Sequence, residues 1–246
     1  MPVFATPSPI TLVLDVRSGD VRIRAGAGPD TTVDGAAEVD WTDGTLTVAA
    51  PARGLLGRLL TDAPEVRIAL PAGSDVRGSV AGETRATGRL GACRLSSTAG
   101  DIRLDETGPA ELTSRDGEIH VRRIDGPATI TNTNGETRIG EVTGVLRLAD
   151  TNGEMTVERA LADVDGRTSY GAISIGEVVR GTVEPATAGG ELAVGVAAGT
   201  AAWLDIDTAG GEVHNELDAA GGPAASDETV EILARTGGGD IRIHRA

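Results

Sequence analysis

The chain has 246 residues, 39% of them hydrophobic and 24% charged, a balance that suits a folded protein rather than a disordered one. Aromatic residues make up only 2%, namely Phe4, Trp41, Tyr170 and Trp203, so the core must be narrow and aliphatic. The formal net charge of −15, with all 22 basic residues arginine, argues against nucleic acid as a partner, because binding to phosphate backbones draws on clustered cations.

Met1-Pro2-Val3-Phe4-Ala5-Thr6-Pro7 carries neither the basic start nor the apolar run of a secretory signal. No later stretch approaches the roughly 18 apolar residues of a membrane span, so no membrane span is expected and the expected location is the cytoplasm. Ile10–Val16 reads as a first strand, and Gly19-Asp20-Val21-Arg22-Ile23 states a phrase that later recurs: a glycine, usually an acidic residue, then alternation. A third apolar run, Gly44-Thr45-Leu46-Thr47-Val48, follows Trp41. Residues 51–64 break the alternation. Leu55, Leu56, Leu59 and Leu60 share one face of a helical turn, but two glycines weaken any helix. A loop or small lid is expected there, with a docking segment as the alternative. Pro64 to Leu70 resumes as a strand and Pro71-Ala72-Gly73-Ser74 turns.

From Gly82 the phrase becomes regular. Gly82, Gly100, Gly117, Gly135, Gly153, Gly171 and Gly190 lie 18, 17, 18, 18, 18 and 19 residues apart. In the segment opening at Gly117 the inward positions are Ile119, Val121, Ile124, Ala128, Ile130 and Asn132; in the next they are Thr137, Ile139, Val142, Leu146, Leu148 and Asp150. Steps of two mark strands and longer steps mark corners. A single segment cannot bury its own aliphatic residues, but neighbours above and below bury them and pair every strand amide and carbonyl. The expected fold is therefore all-β, a parallel β-solenoid (β-helix) of about ten coils with roughly 18-residue repeats, its handedness left open. One domain spans 1–246: irregular coils over 1–81, regular repeats over 82–210, and loosened coils over 211–246 with a linker-like run at Ala219–Ser226. Gly239-Asp240-Ile241-Arg242-Ile243 is expected to close the array.

Residue types at fixed offsets predict further features. The repeat glycine is expected where the backbone needs positive φ or close approach, and Asp116, Asn134 and Asn152 before it suit the left-handed region. Asp101, Glu118, Glu136, Glu154, Glu191 and Glu212 should form an outward acidic column beside Arg85, Arg103, His120, Arg138 and Arg242. Ser97, Ser114, Asn132, Asp150, Thr168, Thr187 and Thr208 should form an inward polar ladder that satisfies corner backbone groups. Asp150 stands out, since a buried carboxylate is costly unless paired. Cys93, the single cysteine, reads as a small buried hydrophobe rather than a reactive thiol.

Several phrases resemble the bacterial putative-adhesin family of β-strand-repeat domains of unknown function, over nearly the whole chain. They are Gly100-Asp101-Ile102-Arg103-Leu104-Asp105, the run from Gly135 to Gly144, Ala202-Trp203-Leu204-Asp205 and Gly239-Asp240-Ile241-Arg242-Ile243. The resemblance implies a parallel β-solenoid and transfers no catalytic residues.

No catalytic, cofactor-binding or metal-ligating residues are singled out. His120, His214 and His244 are scattered, and Gly237-Gly238-Gly239-Asp240 is an isolated likeness to calcium-binding repeats. Four dispersed aromatics offer little for sugar stacking. The expected function is a non-enzymatic structural or protein-interaction scaffold. The alternatives are a carbohydrate-active β-helix enzyme and an acidic nucleic-acid mimic. A carboxy-terminal coil bearing Arg235, Arg242, His244 and Arg245 leaves two readings open, end-to-end self-association or an edge that its arginines keep soluble, while Pro2, Pro7 and Pro9 partly guard the other end.

Overall fold

A computed structural model describes residues 2–26, 28–51, 64–218 and 228–246. The loop, lid or docking segment expected within 51–64 and the linker-like run at 219–226 lie outside the described residues, apart from Pro51 and Pro64. The described residues form strands and turns, with no helix among them. The chain divides into two compact units, Met1–Arg123 and Ile124–Ala246.

Unit 1 holds β1 (Val3–Ala5), β2 (Thr11–Val16), β3 (Asp20–Gly26), β4 (Asp30–Asp34), β5 (Glu38–Thr42), β6 (Thr45–Ala50), β7 (Glu65–Pro71), β8 (Asp75–Val80), β9 (Thr84–Arg89), β10 (Cys93–Ser97), β11 (Ile102–Thr107), β12 (Ala110–Ser114) and β13 (Ile119–Ile124), which ends on the boundary. In one sheet the order is β1-β4-β7-β3-β9-β11-β13, and in the other β5-β6-β2-β8-β10-β12. β7, β3, β9 and β11 pair in parallel, as do β6, β2, β8, β10 and β12. Cys93 lies opposite Val76 and Ala110, each 17 residues away, so successive repeats present the same inward positions to one another.

Unit 2 holds β14 (Ala128–Thr131), β15 (Thr137–Val142), β16 (Leu146–Asn152), β17 (Met155–Ala160), β18 (Val164–Tyr170), β19 (Ile173–Val178), β20 (Gly181–Gly189), β21 (Leu192–Val196), β22 (Thr200–Thr208), β23 (Val213–Asn215), β24 (Glu228–Thr236) and β25 (Ile241–Arg245). One sheet runs β15-β17-β19-β21-β25-β23 and the other β14-β16-β18-β20-β24-β22. All these pairings are parallel.

The core forms where the alternation predicts. All twelve inward residues named for the segments opening at Gly117 and Gly135 are buried, from Ile119 to Asp150. Gly117 has φ of +150°, and a Cβ there would fall 2.4 Å from the Gly100 carbonyl oxygen, so close approach of the neighbouring repeat requires glycine. Asp116, Asn134 and Asn152 correct the expectation made for them. Asp43 is the one non-glycine residue at positive φ among the described residues. The asparagines instead bond to each other across repeats, Asn152 Nδ2 donating to Asn134 Oδ1 at 3.1 Å.

Two further expectations are corrected at the ends of the chain. First, pairing is not parallel throughout: β1·β4, β4·β7 and β5·β6 are antiparallel. Phe4 of β1 stacks on Trp41 of β5 with centroids 5.6 Å apart, an aromatic contact between the outermost strands of the two sheets of unit 1. Second, Gly239–Ile243 does not close the array. β24 pairs between β20 and β22, and β25 between β21 and β23, so the last strand pair in sequence is the penultimate one in space. β2 and β3 are likewise inserted, between β6 and β8 and between β7 and β9. Alternation fixes which side chains point inward, but every strand of the same period offers the same pattern to a neighbour, so spatial order is free to depart from chain order.

Candidate functional site

The inward polar ladder is present at the corners. Ser97, Ser114, Asn132, Asp150, Thr168 and Thr187 are buried, and Thr236 joins them because β24 precedes β22 in space. Members donate to glycine carbonyls: Ser97 Oγ to Gly100 at 3.0 Å, Asn132 Nδ2 to Gly135 at 3.2 Å, Thr187 Oγ1 to Gly171 at 3.2 Å, Thr236 Oγ1 to Gly190 at 3.0 Å and Thr208 Oγ1 to Gly239 at 3.0 Å. This is backbone satisfaction at a buried corner. Three members depart from the pattern: the Ser114 and Thr168 hydroxyls are buried without a hydrogen-bond partner, and so is one oxygen of the Asp150 carboxyl. Asp150 Oδ1 accepts from the Asn152 amide at 3.0 Å, while Oδ2 is the unpartnered oxygen, and burial pushes the carboxyl above the usual carboxylate range.

The acidic and basic positions face outward, and at some of them the two columns meet. Arg103 is held by Glu83 and Asp101, each at 2.8 Å, and by Glu118 at 3.0 Å. Arg138 pairs with Glu136 at 2.6 Å, and His214 lies 3.7 Å from Glu212. Aspartates at the corner have a second role the sequence pattern did not reveal. The Oδ1 atoms of Asp20, Asp101 and Asp240 accept the backbone amides of Glu83, Glu118 and Glu212 on the neighbouring repeat, at 2.8–2.9 Å. A carboxylate there therefore stitches repeats together as well as facing water.

Among the described residues, β22 and β23 are the outermost strands of the two sheets of unit 2, with no strand paired on their far side. The inward residues of β24 are fully covered: Val230 is 2% exposed, and Ile232 and Ala234 are 0%. Their register partners on β22, namely Ala202, Leu204 and Ile206, are only half-buried. Val213 on β23 is 46% exposed and Trp203 57% exposed. An edge strand with a half-covered apolar face and an exposed indole can take another strand. Trp203 also borders a depression of about 700 Å³ with Asp163, Arg180, Glu228 and Glu231.

The four carboxy-terminal basic residues lie on β24 and β25, not on the outermost strands, which corrects the site given for self-association. Arg235 binds Asp205, Arg242 lies 3.9 Å from Glu216, and Arg245 Nη1 donates to the Ala197 and Thr200 carbonyls at 3.0 and 2.9 Å. His244 Nδ1 lies 2.8 Å from the Arg245 carbonyl oxygen. The three arginines thus reach the outermost strands of unit 2, the residues just past β23 and the connection leading into β22.

Cys93 is buried in β10, where burial pushes its thiol up to about 12. His120, His214 and His244 stand on different strands, β13, β23 and β25, and no group of three His, Cys, Asp or Glu residues comes together among the described residues. No helix among them is long and apolar enough to cross a membrane.

No protein-family model matches the chain, and no curated protein does. Solved structures do. A putative adhesin from Bacteroides fragilis has 11% identity and a TM-score of 0.48, covering 98% of this chain and 95% of that one. A putative adhesin from Parabacteroides distasonis gives 10% and 0.34 over the same coverage. A putative cell adhesion protein from Clostridium sporogenes gives 13% and 0.24 over 100% of this chain and 98% of that one.

Proposed function

We propose that the protein is a non-enzymatic interaction scaffold of β-solenoid type, each strand pair of about 18 residues forming one coil, and that the open β22–β23 edge of unit 2 is its binding element. The observation that carries this reading is the contrast between β24, whose inward residues are sealed, and β22, whose matching Leu204 and Ile206 are half-covered beside exposed Trp203. A partner strand laid on this edge would complete both the hydrogen-bond ladder and the apolar face. The location that goes with the reading is the cytoplasm, which cell fractionation tests.

A photocrosslinking residue in place of Trp203, with one at Thr113 of β12 as control, tests the binding element in the producing cells. The expected result is a partner peptide captured from position 203 alone. That peptide, made synthetically, should bind the purified protein and protect β22 and β23 amides from exchange, and Leu204→Lys should weaken it at least tenfold. Equal capture from position 113, or binding that leaves β22 and β23 exchange unchanged, refutes the reading.

One observation favours a second reading. Trp203 stands beside Glu228, Glu231 and Arg180 in its depression, an indole platform with polar neighbours that suits a sugar ring. Titration with neutral oligosaccharides should then quench tryptophan fluorescence in the native protein and not in Trp203→Ala.

A further inference from the structure

The outer face of unit 1 reverses the sign of the protein's net charge at one place. β3 pairs in register with both β7 and β9, so Arg22 lies opposite Arg67 on one side and Arg85 on the other. Three arginines therefore leave adjacent strands, about 4.8 Å apart, on one face. Arg24, two residues along β3, adds a fourth beside Ala69 and Thr87. Together with Thr32 and Asp34 of β4 these residues line an open depression of about 370 Å³.

Carboxylates surround Arg103 on β11, which lies opposite Arg85, and Arg122 on β13. Arg103 has three, and Arg122 has Glu106 at 2.6 Å and Asp105 at 3.8 Å. At the depression Glu65 pairs with both Arg22 and Arg67. Glu83, two residues before Arg85, is committed to Arg103. Arg24 and Arg85 are exposed and have no ion pair among the described residues. Asp34 is the one carboxylate in the lining, in a chain with 37 acidic residues. Like charges on adjacent strands oppose one another, so this arrangement is relieved by an anion placed between them.

The geometry points to an oxyanion-binding site in which Arg24 and Arg85 share a phosphate or sulfate dianion, with Arg22, Arg67 and Thr32 at its border. Arg24 and Arg85 are diagonal neighbours on adjacent strands, about 7 Å apart at Cβ, a span that one tetrahedral group bridges with a guanidinium fork on each side. A monocarboxylate would neutralise only one of the two. The volume falls at the small-molecule end of the ligand-site range, which favours a free oxyanion or a small ester over a polymer. The site lies wholly within unit 1 and is independent of the β22–β23 edge.

The test follows the arginine Nε–Hε resonances of the full chain at low ionic strength, with inorganic phosphate, sulfate, glucose 6-phosphate and acetate as probes. Phosphate and sulfate should give saturable shifts at Arg24 and Arg85, at least tenfold tighter than acetate. Arg24→Gln/Arg85→Gln should weaken phosphate binding at least tenfold with an unchanged melting midpoint, while Arg77→Gln on β8 should leave it unaltered. Tighter binding of glucose 6-phosphate than of inorganic phosphate assigns the site to an ester, and equal binding assigns it to the free ion. Shifts that fail to saturate, or that persist undiminished in the double variant, overturn the proposal.

Discussion

Arg235 of β24 grips Asp205 of β22 twice, with Nη2 2.7 Å from the Asp205 carboxylate and Nη1 donating to its carbonyl at 2.6 Å. The first contact is partly exposed and contributes under about 1 kcal/mol, but the second ties a charged donor to strand backbone, worth about 1.5–3 kcal/mol. Arg235→Ala should therefore loosen β22 without unfolding the unit. Hydrogen exchange at residues 200–208 is expected to accelerate about tenfold or more, with β16 and β18 unchanged.

Asp150 offers a prediction with a definite sign. Its carboxyl is raised by burial, so the folded state holds the proton more tightly than the unfolded one. The associated stability is present below the unfolded value of about 3.9 and is lost as pH rises through the folded one. Asp150→Asn removes this dependence. Its amide can donate to the Gly153 carbonyl as Asn132 donates to Gly135, satisfying a ladder position that now ends in the unpartnered Oδ2. The variant should be more stable at neutral pH by about 1–3 kcal/mol. Denaturant midpoints measured from pH 4 to 7 should show the advantage growing with pH; a gap that narrows as pH rises contradicts the assignment.

Cys93 should resist alkylation in the native protein. Its thiol is buried and pushed up to about 12, so almost no thiolate exists at pH 8. Mass spectrometry after iodoacetamide treatment is expected to show labelling only in denaturant. Rapid labelling of the folded chain would mean that β10 opens.

Ile130, 1% exposed and opposite Leu148, tests the core register. Ile130→Asp buries an unpaired charge and should abolish folding, whereas Ile130→Val should cost only about 0.5–1.5 kcal/mol. Circular dichroism melts of the two variants distinguish a core position from a surface one. An unaltered melt for Ile130→Asp would place the residue outside the core.

Strand register was legible because period-2 alternation and the corner steps are local: the positions from Ile119 to Asp150 needed nothing beyond their own segments. The polar ladder was legible for the same reason, since Ser97, Asn132 and Thr187 recur at one offset. Neighbour choice was not. Nothing in the phrase Gly239–Ile243 distinguishes a last position from a penultimate one, because β24 and β22 carry the same inward pattern. The reversed strands β4 and β5 escaped for a related reason, as direction leaves no mark on alternation. The arginine cluster depended on both. Arg67 reaches Arg22 only because β7 pairs with β3, and Asp34 joins only because β4 folds back on β7.

The inserted position of β24 and β25 matters to a chain being made. Synthesis delivers residues 200–215 before 228–245, yet among the described residues β22 and β23 pair only with the strands that follow them. Until those strands leave the ribosome, the edge of β20 is vacant and β22 offers it a matching inward pattern. Premature docking of β22 on β20 would fill the place that β24 must take. The nascent chain therefore faces a kinetic choice between β22 and β24, and correct assembly requires that β22 either wait or be displaced.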